Sequence, residues 1–405
     1  MAHRLDRRDF LRQSAAAAAA VGVAPLLASR ALAADPPRIQ RTAKLGRTGL
    51  EISDISFGSS RTSDPAVVRH AFERGINYFD TAEDYQGGAS ERAIGEALAG
   101  VRDQVFIATK TEMGASDSRA DMMRALEGSL GRLRTDHVDV YFNHAVNDVA
   151  RARNPEWPEF VAQARKQGKI RWSGMSGHGG HLAECLDFVL ANDLVDVILV
   201  AHNFGQDPAF YQKFLKSFDF VALQPELPVL MTRARKSGVG VIAMKTLMGA
   251  RLNDLRDYEH GGATFAQAAF RWVLASGYAD ALVVSMNSPA MVDEYVAASG
   301  QARNRTSDLL LLEHYARLNG RTHCQHGCRA CEQSCPAGVP ISEVLRTRMY
   351  DVDYGDPELA RAEYARLETN ASACLACSDT PCLGACPIGI PIPAFTRQMA
   401  GRKDG

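Results

Sequence analysis

Eight of the nine cysteines of this 405-residue chain lie between Cys324 and Cys386. They form two spaced sets, Cys324-x3-Cys328-x2-Cys331-x3-Cys335-Pro336 and Cys374-x2-Cys377-x4-Cys382-x3-Cys386-Pro387. Each set ends in a short repeat, Cys-Pro-Ala-Gly-Val-Pro-Ile over 335–341 and Cys-Pro-Ile-Gly-Ile-Pro-Ile over 386–392. Thiolates this close together can hold an iron-sulfur cluster or zinc, or close into disulfides in an oxidising compartment. Neither zinc nor disulfides accounts for the paired C-x3-C-P endings, and no C-x-x-C precedes a histidine as haem attachment requires. Cys185 stands apart, inside an apolar helical stretch from His181 to Asn192, and reads as a buried core residue.

A second group is dispersed in sequence. Asp80, Tyr85, Lys110 and His144 offer a carboxylate, a phenol, an ammonium and an imidazole, a set suited to proton transfer. A phenol with a reference pKa near 10 is a poor acid or base at neutral pH, but an ammonium buried beside it favours the phenolate and lowers that value. The set works only if the fold brings the four together.

The elements that would do so are legible. Short apolar or β-branched runs occur at Ile55–Phe57, Asn77–Asp80, Val105–Lys110, Val138–Asn143, Ile170–Met175, Val197–Ala201, Val239–Met244 and Ala281–Ser285, with helical patterns such as Asp64–Gly75 and Ser118–Leu133 between them. Eight strands alternating with helices over roughly 250 residues predict an α/β fold, a (β/α)8 TIM barrel. An open doubly wound sheet is disfavoured because no G-x-G-x-x-G follows the first strand. Asp80, Tyr85, Lys110 and His144 all fall at or just after strand ends, the rim where barrel active sites are built. The stretch Lys44–Leu50 reads as a hairpin plugging the other end. Beyond 300 a leucine-rich helix, Thr306–Arg317, precedes the cysteines, and Pro and Gly then become abundant. That change predicts a small, mostly helical second domain stabilised by more than its core.

With Phe79-Asp80-Thr81-Ala82-Glu83-Asp84-Tyr85, Ser90-Glu91 followed by Ile94-Gly95, and Lys169-Ile170-Arg171-Trp172-Ser173-Gly174, the region 43–300 resembles the aldo-keto reductases. The resemblance implies that Tyr85 protonates a carbonyl oxygen while a nicotinamide, NADP or NAD, delivers hydride. Lys110 would tune Tyr85, Asp80 would hold Lys110, and His144 would orient the substrate oxygen. It places Ser176, Met244 and Ser285 against the cofactor. Here the sequence departs from the family: Gly177 and Leu199 stand where an asparagine and a glutamine are usual, Met244 replaces a stacking tyrosine, and 285–289 carries no cation for a 2'-phosphate. His178, His181 and His202 match no motif and read as structural or pocket residues. The cysteine sets resemble ferredoxin-type ligation of two 4Fe-4S clusters, metal ligands being Cys324, Cys328, Cys331, Cys335, Cys374, Cys377, Cys382 and Cys386. The second set is similar to the amino-terminal clusters of the glutamate synthase small subunit, and which cysteine serves which cluster stays open at this level.

The N-terminus carries Arg4, Arg7, Arg8 and Arg12, then 17 uncharged, alanine-rich residues from Gln13 to Ser29, then Ala31-Leu32-Ala33. Seventeen weakly apolar residues fall short of the ~20 a bilayer span needs, so residues 1–33 read as an export signal. Arg7-Arg8-Asp9-Phe10-Leu11-Arg12 resembles the twin-arginine signal, which exports folded proteins and so suits a chain whose clusters are assembled first. Charge is balanced, 46 Lys+Arg against 47 Asp+Glu, with 46% hydrophobic residues, which disfavours a nucleic-acid partner or long disorder.

The expected organisation is a signal peptide at 1–33, a barrel at 43–300 and a ferredoxin-like domain at 320–400. The expected protein is a periplasmic oxidoreductase, not membrane-spanning once mature, acting on a small carbonyl or alcohol. Its two 4Fe-4S clusters would relay electrons to or from a redox partner protein. The competing expectation is a non-catalytic barrel serving as an electron-transfer or partner-binding subunit.

Overall fold

A computed structural model of the chain describes residues 35–205, 226–248, 259, 262, 264–319, 324, 328–352 and 356–401. The expected export signal lies outside the described residues. The chain divides into two units, Met1–Pro36 and Pro37–Gly405, and everything below belongs to the second.

The strands are β1 Thr42–Lys44, β2 Glu51–Ser53, β3 Ile55–Gly58, β4 Tyr78–Asp80, β5 Phe106–Thr111, β6 Val138–Asn143, β7 Ile170–Gly177, β8 Val197–Ala201, β9 Gly240–Met244 and β10 Ala281–Ser285. The described helices are α1 Pro65–Glu73, α2 Ala89–Leu98, α3 Arg119–Leu133, α4 Val149–Ala152, α5 Glu156–Lys166, α6 Leu182–Ala191, α7 Glu226–Lys236, α8 Phe265–Ala275, α9 Pro289–Val296, α10 Thr306–Asn319, α11 Ile341–Val352, α12 Pro357–Ala365, α13 Pro381–Ala385 and α14 Ile392–Ala400. Strands β3 to β10 close a parallel barrel in the order β10-β3-β4-β5-β6-β7-β8-β9. All eight expected runs are barrel strands.

The helices start where local chemistry favours it. Asp64 accepts a hydrogen bond from the Ala66 amide with Pro65 in the first turn of α1, and Ser118 and Asp121 form a reciprocal capping box on α3. In β6, Val140 and Phe142 point into the barrel while Tyr141 between them faces the helices. Phe142 takes the space beside the neighbouring strand. A Cβ on Gly174 would lie 2.4 Å from its Cε1, so β7 needs glycine there.

β1 and β2 pair antiparallel and close the barrel bottom, as expected. Leu45, Leu50 and Ile52 join the interior cluster with Tyr78, Val197, Ile242 and Ala281. Burial of each leucine, isoleucine or valine among them contributes about 1.5–3 kcal/mol. Gly46, with φ 48°, sits so close to β9 that a Cβ would be 2.3 Å from the Gly240 nitrogen.

The expected leucine-rich helix is α10, and it belongs with the barrel. Leu311, Leu312 and Tyr315 join the main core, and Arg271 on α8 grips Asp308 at 2.6 Å with both side chains fully buried.

The cysteine-bearing segment has its own core of Val339, Ile341, Val344, Leu345, Ile388, Ile390, Ile392 and Met399, with Cys331 among them. The repeated sequence folds twice the same way. Cys335 and Cys386 have matching backbones (φ −82°, ψ 112° and φ −83°, ψ 112°). The amides of Gly338 and Gly389 return to the Cys335 and Cys386 carbonyls, each at 3.1 Å. Both glycines are left-handed, φ 63° and 69°, which other residues adopt at a cost. Helices α11 and α14 then begin.

Candidate active site

The four dispersed rim residues converge. Asp80 ends β4, Lys110 lies near the end of β5, His144 follows β6, and Tyr85 begins a turn after β4. Lys110 Nζ lies 2.5 Å from Asp80 Oδ1 and 2.6 Å from the Thr81 carbonyl oxygen. The ammonium sits 5.1 Å from the centroid of the Tyr85 ring. His144 meets that ring edge-on, centroids 5.7 Å apart and planes at 75°. Gln86, Gly87 and Gly88 after Tyr85 are all left-handed. For Gln86 that conformation costs on the order of 1 kcal/mol, strain of a kind that gathers at functional sites.

These residues line a cavity of about 770 Å³ at the barrel's C-terminal rim. Ser176, Met244 and Ser285 line it too, with Leu199 and His178. Ser176 Oγ accepts from the Ala145 amide at 3.0 Å, holding the loop after His144, and Ser285 Oγ pairs with Ser60 Oγ at 2.6 Å. His202 is instead fully buried between Trp272 and Tyr278, and burial pushes its pKa down to about 4. His181 faces the cysteine-bearing segment, 2.6 Å from Arg329. Cys185 is fully buried, as expected.

The electrostatics correct one expectation. Burial raises the Tyr85 phenol well above its ordinary value, and Asp80, Asp84, Tyr350 and Glu363 add to the rise. Lys110 does not reverse this, because its charge is opposed by Asp80 at 2.5 Å. Tyr85 therefore carries its proton at neutral pH and is set up as a donor. Burial, then the cations Lys110, Arg151, Arg366 and Arg346, hold His144 well below its usual pKa, so its ring is neutral.

Sequence reasoning missed one wall of the cavity. Tyr350, at the end of α11, and Asp356, Glu358, Leu359 and Glu363, in or just before α12, line the same cavity from the cysteine-bearing segment. Glu112 and Asp84 complete the rim. One oxygen of each carboxylate and a ring nitrogen of His144 lie within 4.8 Å of one another, a grouping able to take a cation. Arg366 supplies one, 3.5 Å from Asp84 and 3.6 Å from Glu112. No local pattern marks these partners, and Arg366 lies more than 250 residues from the Asp84 and Glu112 it meets.

The cysteine sulfurs gather across the two sets. Burial raises the Cys324 thiol, and Cys328, Cys331 and Cys386 raise it further by charge. Burial raises Cys382 likewise, followed by Cys374, with Cys335 and Cys377 adding to it. Among the described residues no three cysteine sulfurs lie within 4.8 Å of one another. Arg397 on α14 binds the carbonyls of Cys374 and Cys377 at 3.0 and 2.6 Å.

Comparison with known proteins agrees with the barrel. Residues 50–304 match the Aldo/keto reductase family, a stretch that ends before Cys324. L-galactose dehydrogenase of Arabidopsis thaliana is 26% identical over 63% of this chain and 86% of its own length. L-glyceraldehyde 3-phosphate reductase of Escherichia coli is 23% identical over 67% of this chain and 90% of its own. An aldo-keto reductase structure from Pseudomonas aeruginosa superposes with a TM-score of 0.51 at 25% identity, over 66% of this chain and 98% of the other. One from Klebsiella pneumoniae, solved in complex with NADPH, gives 0.51 at 21%, over 71% and 96%. The rim geometry and a match spanning the whole barrel lead to one assignment: the chain is an oxidoreductase that belongs to the aldo/keto reductase family.

Proposed function

We propose that the barrel interconverts a carbonyl and an alcohol with Tyr85 as the proton donor, and that the cysteine-bearing segment holds two 4Fe-4S clusters which relay electrons. The observation carrying the first part is the buried Asp80–Lys110 pair beneath the Tyr85 ring, with His144 at its edge, all opening on one cavity.

In the reducing direction Tyr85 gives its proton to the substrate oxygen as hydride arrives at the carbon, and solvent then returns the proton. His144, neutral, offers a hydrogen bond to that oxygen without competing for the proton. Lys110 stabilises the phenolate left behind, and Asp80 holds the ammonium in place. A nicotinamide, NADP or NAD, is the proposed hydride donor, as the fold shared with the NADPH-bound Klebsiella protein supports. Met244, Ser176 and Ser285 lie on the cavity wall where its ring would rest. They fit it in part, since Ser176 already serves the loop after His144.

The cysteines fit a cluster better than zinc. Two sets of four thiolates, each closed by the same C-x3-C-P ending, match paired cluster ligation, which zinc ligation does not explain. The charge neighbours support one cluster on Cys324, Cys328, Cys331 and Cys386 and another on Cys335, Cys374, Cys377 and Cys382. Such clusters supply one-electron transfer. Export by the twin-arginine machinery to the periplasm, with 1–33 as signal, completes the proposal and suits a protein that must fold around its clusters first.

The deciding experiment is Tyr85→Phe assayed by NADPH oxidation with methylglyoxal and 4-nitrobenzaldehyde. Loss of at least ~100-fold in kcat with the fold intact supports the reading, and full retention overturns it.

A further inference from the structure

The cavity above Tyr85 is built from two parts of the chain. The barrel supplies its floor, and α11 and α12 supply a wall through Tyr350, Leu359 and Glu363. Charged and polar side chains tie that wall to the rim. Arg366, just after α12, bonds Glu363 at 2.9 Å and reaches across to Asp84 and Glu112 at 3.5 and 3.6 Å. Lys245, after β9, donates to the Tyr350 hydroxyl at 3.3 Å, and Arg346 on α11 donates to it at 3.0 Å. Arg346 also holds Glu343 and Glu363 at 2.8 and 2.9 Å, all three side chains at least four-fifths buried. Glu343 in turn accepts from Asn147 of the barrel at 3.2 Å.

Two consequences follow from this geometry. Asp84 precedes Tyr85 in sequence and its Oδ1 lies 3.8 Å from His144 Nδ1, so the group Arg366 grips adjoins both the proton donor and the histidine at its edge. Tyr350 and Glu363 raise the Tyr85 pKa, and Arg366 and Arg346 lower that of His144, so the wall contributes to the electrostatics of the floor.

We propose that the cysteine-bearing segment completes the substrate pocket of the barrel, with Arg366 a positioning residue that clasps the wall to Asp84 and Glu112, and Tyr350 a specificity-determining residue that meets the substrate. This rests on the carbonyl–alcohol reading of the barrel. A reactant bound at Tyr85 shares its cavity with α12, and in this proposal its far end meets Tyr350. The segment that carries the cysteines thereby selects what the barrel reduces.

Asp84 and Glu112 are each raised by burial, held down by Arg366 and pushed up by Glu363, Asp84 adds to the rise of Glu112, and His144 lies 3.8 Å from Asp84. Lys110 also faces Asp84, and Arg151 faces Glu112. Without Arg366 both carboxyls protonate at higher pH. The acid side of the pH–rate profile then moves upward.

The full-length, cluster-loaded protein and its Arg366→Ala, Arg366→Lys, Tyr350→Ala and Tyr350→Phe variants are assayed with NADPH and either methylglyoxal or 4-nitrobenzaldehyde. Amide exchange of peptides covering 80–88 and 357–366 is followed in parallel. Arg366→Ala is expected to raise KM about tenfold with a smaller change in kcat, to shift the acid limb upward and to speed exchange in both peptides, with Arg366→Lys restoring much of each. Tyr350→Ala is expected to change the KM ratio between the small and the aromatic aldehyde by about tenfold, and Tyr350→Phe by less. Unchanged KM values together with unchanged exchange overturn the proposal. A wild-type protein that turns over neither aldehyde sinks the barrel reading instead, and exchange alone then decides the clasp: no difference between wild type and Arg366→Ala rejects it.

Discussion

Lys110 and Asp80 form an ion pair with 2.5 Å between Nζ and Oδ1, and their side chains are 2% and 5% exposed. Charges so thoroughly removed from water are held in place mainly because each is the other's compensation. The pair lies under Tyr85 and fixes where the ammonium can act.

Removing one partner should therefore cost more than removing both. Lys110→Met leaves Asp80 buried without its cation and is expected to lose about 3–5 kcal/mol. The Asp80→Asn, Lys110→Met double variant should lose less than Lys110→Met alone. Urea unfolding of the four proteins gives the cycle, and simple additivity would show that the two groups are not coupled.

Glu83 supplies a pH test. Burial, followed by the nearby Glu91 charge, lifts its pKa from 4.5 to about 7, with Arg132 pulling the other way and Asp84 and Glu112 adding to the rise. The folded chain thus binds this proton more tightly than the unfolded one. Its contribution is favourable below the unfolded value and is lost as pH rises through about 7. Glu83→Gln should raise Tm by about 1–2 °C at pH 8 and by nothing measurable near pH 5. A larger gain at pH 5 than at pH 8 would contradict the assignment.

Anaerobically purified protein should carry about eight irons and eight sulfides per chain. The crossed grouping makes a sharper forecast. Cys331→Ala with Cys386→Ala should remove about four irons, since both serve one cluster, and Cys331→Ala with Cys335→Ala should remove about eight. The reverse pattern would mean that each sequence set binds its own cluster.

Arg7→Lys with Arg8→Lys keeps the charge and removes the pair. If a twin-arginine receptor reads the signal, precursor should accumulate in the cytoplasm. Undiminished export of the double variant rejects that route.

Much of this was legible without coordinates because it is local. Strand period, capping residues and turn glycines act over a few residues, so the eight strands, the helices from Asp64 and Ser118 and the twin turns after Cys335 and Cys386 follow from short stretches of chain. The rim set of Asp80, Tyr85, Lys110 and His144 was legible for a related reason: in a parallel barrel every strand end reaches the same rim. The protonation of Tyr85 was not, since it depends on the opposition of Asp80 to Lys110 and on acids contributed by remote segments. Nor was the pocket wall. Arg366 and Asp84 are separated by most of the chain, and no periodicity or motif encodes a meeting between a rim loop and a helix end. The sequence by itself determined the barrel, the acid–base set and the spacing of the thiols. Only the tertiary structure decided that the cysteine-bearing segment folds back over the barrel mouth, because long-range charge pairing and cavity shape exist only once the chain is packed.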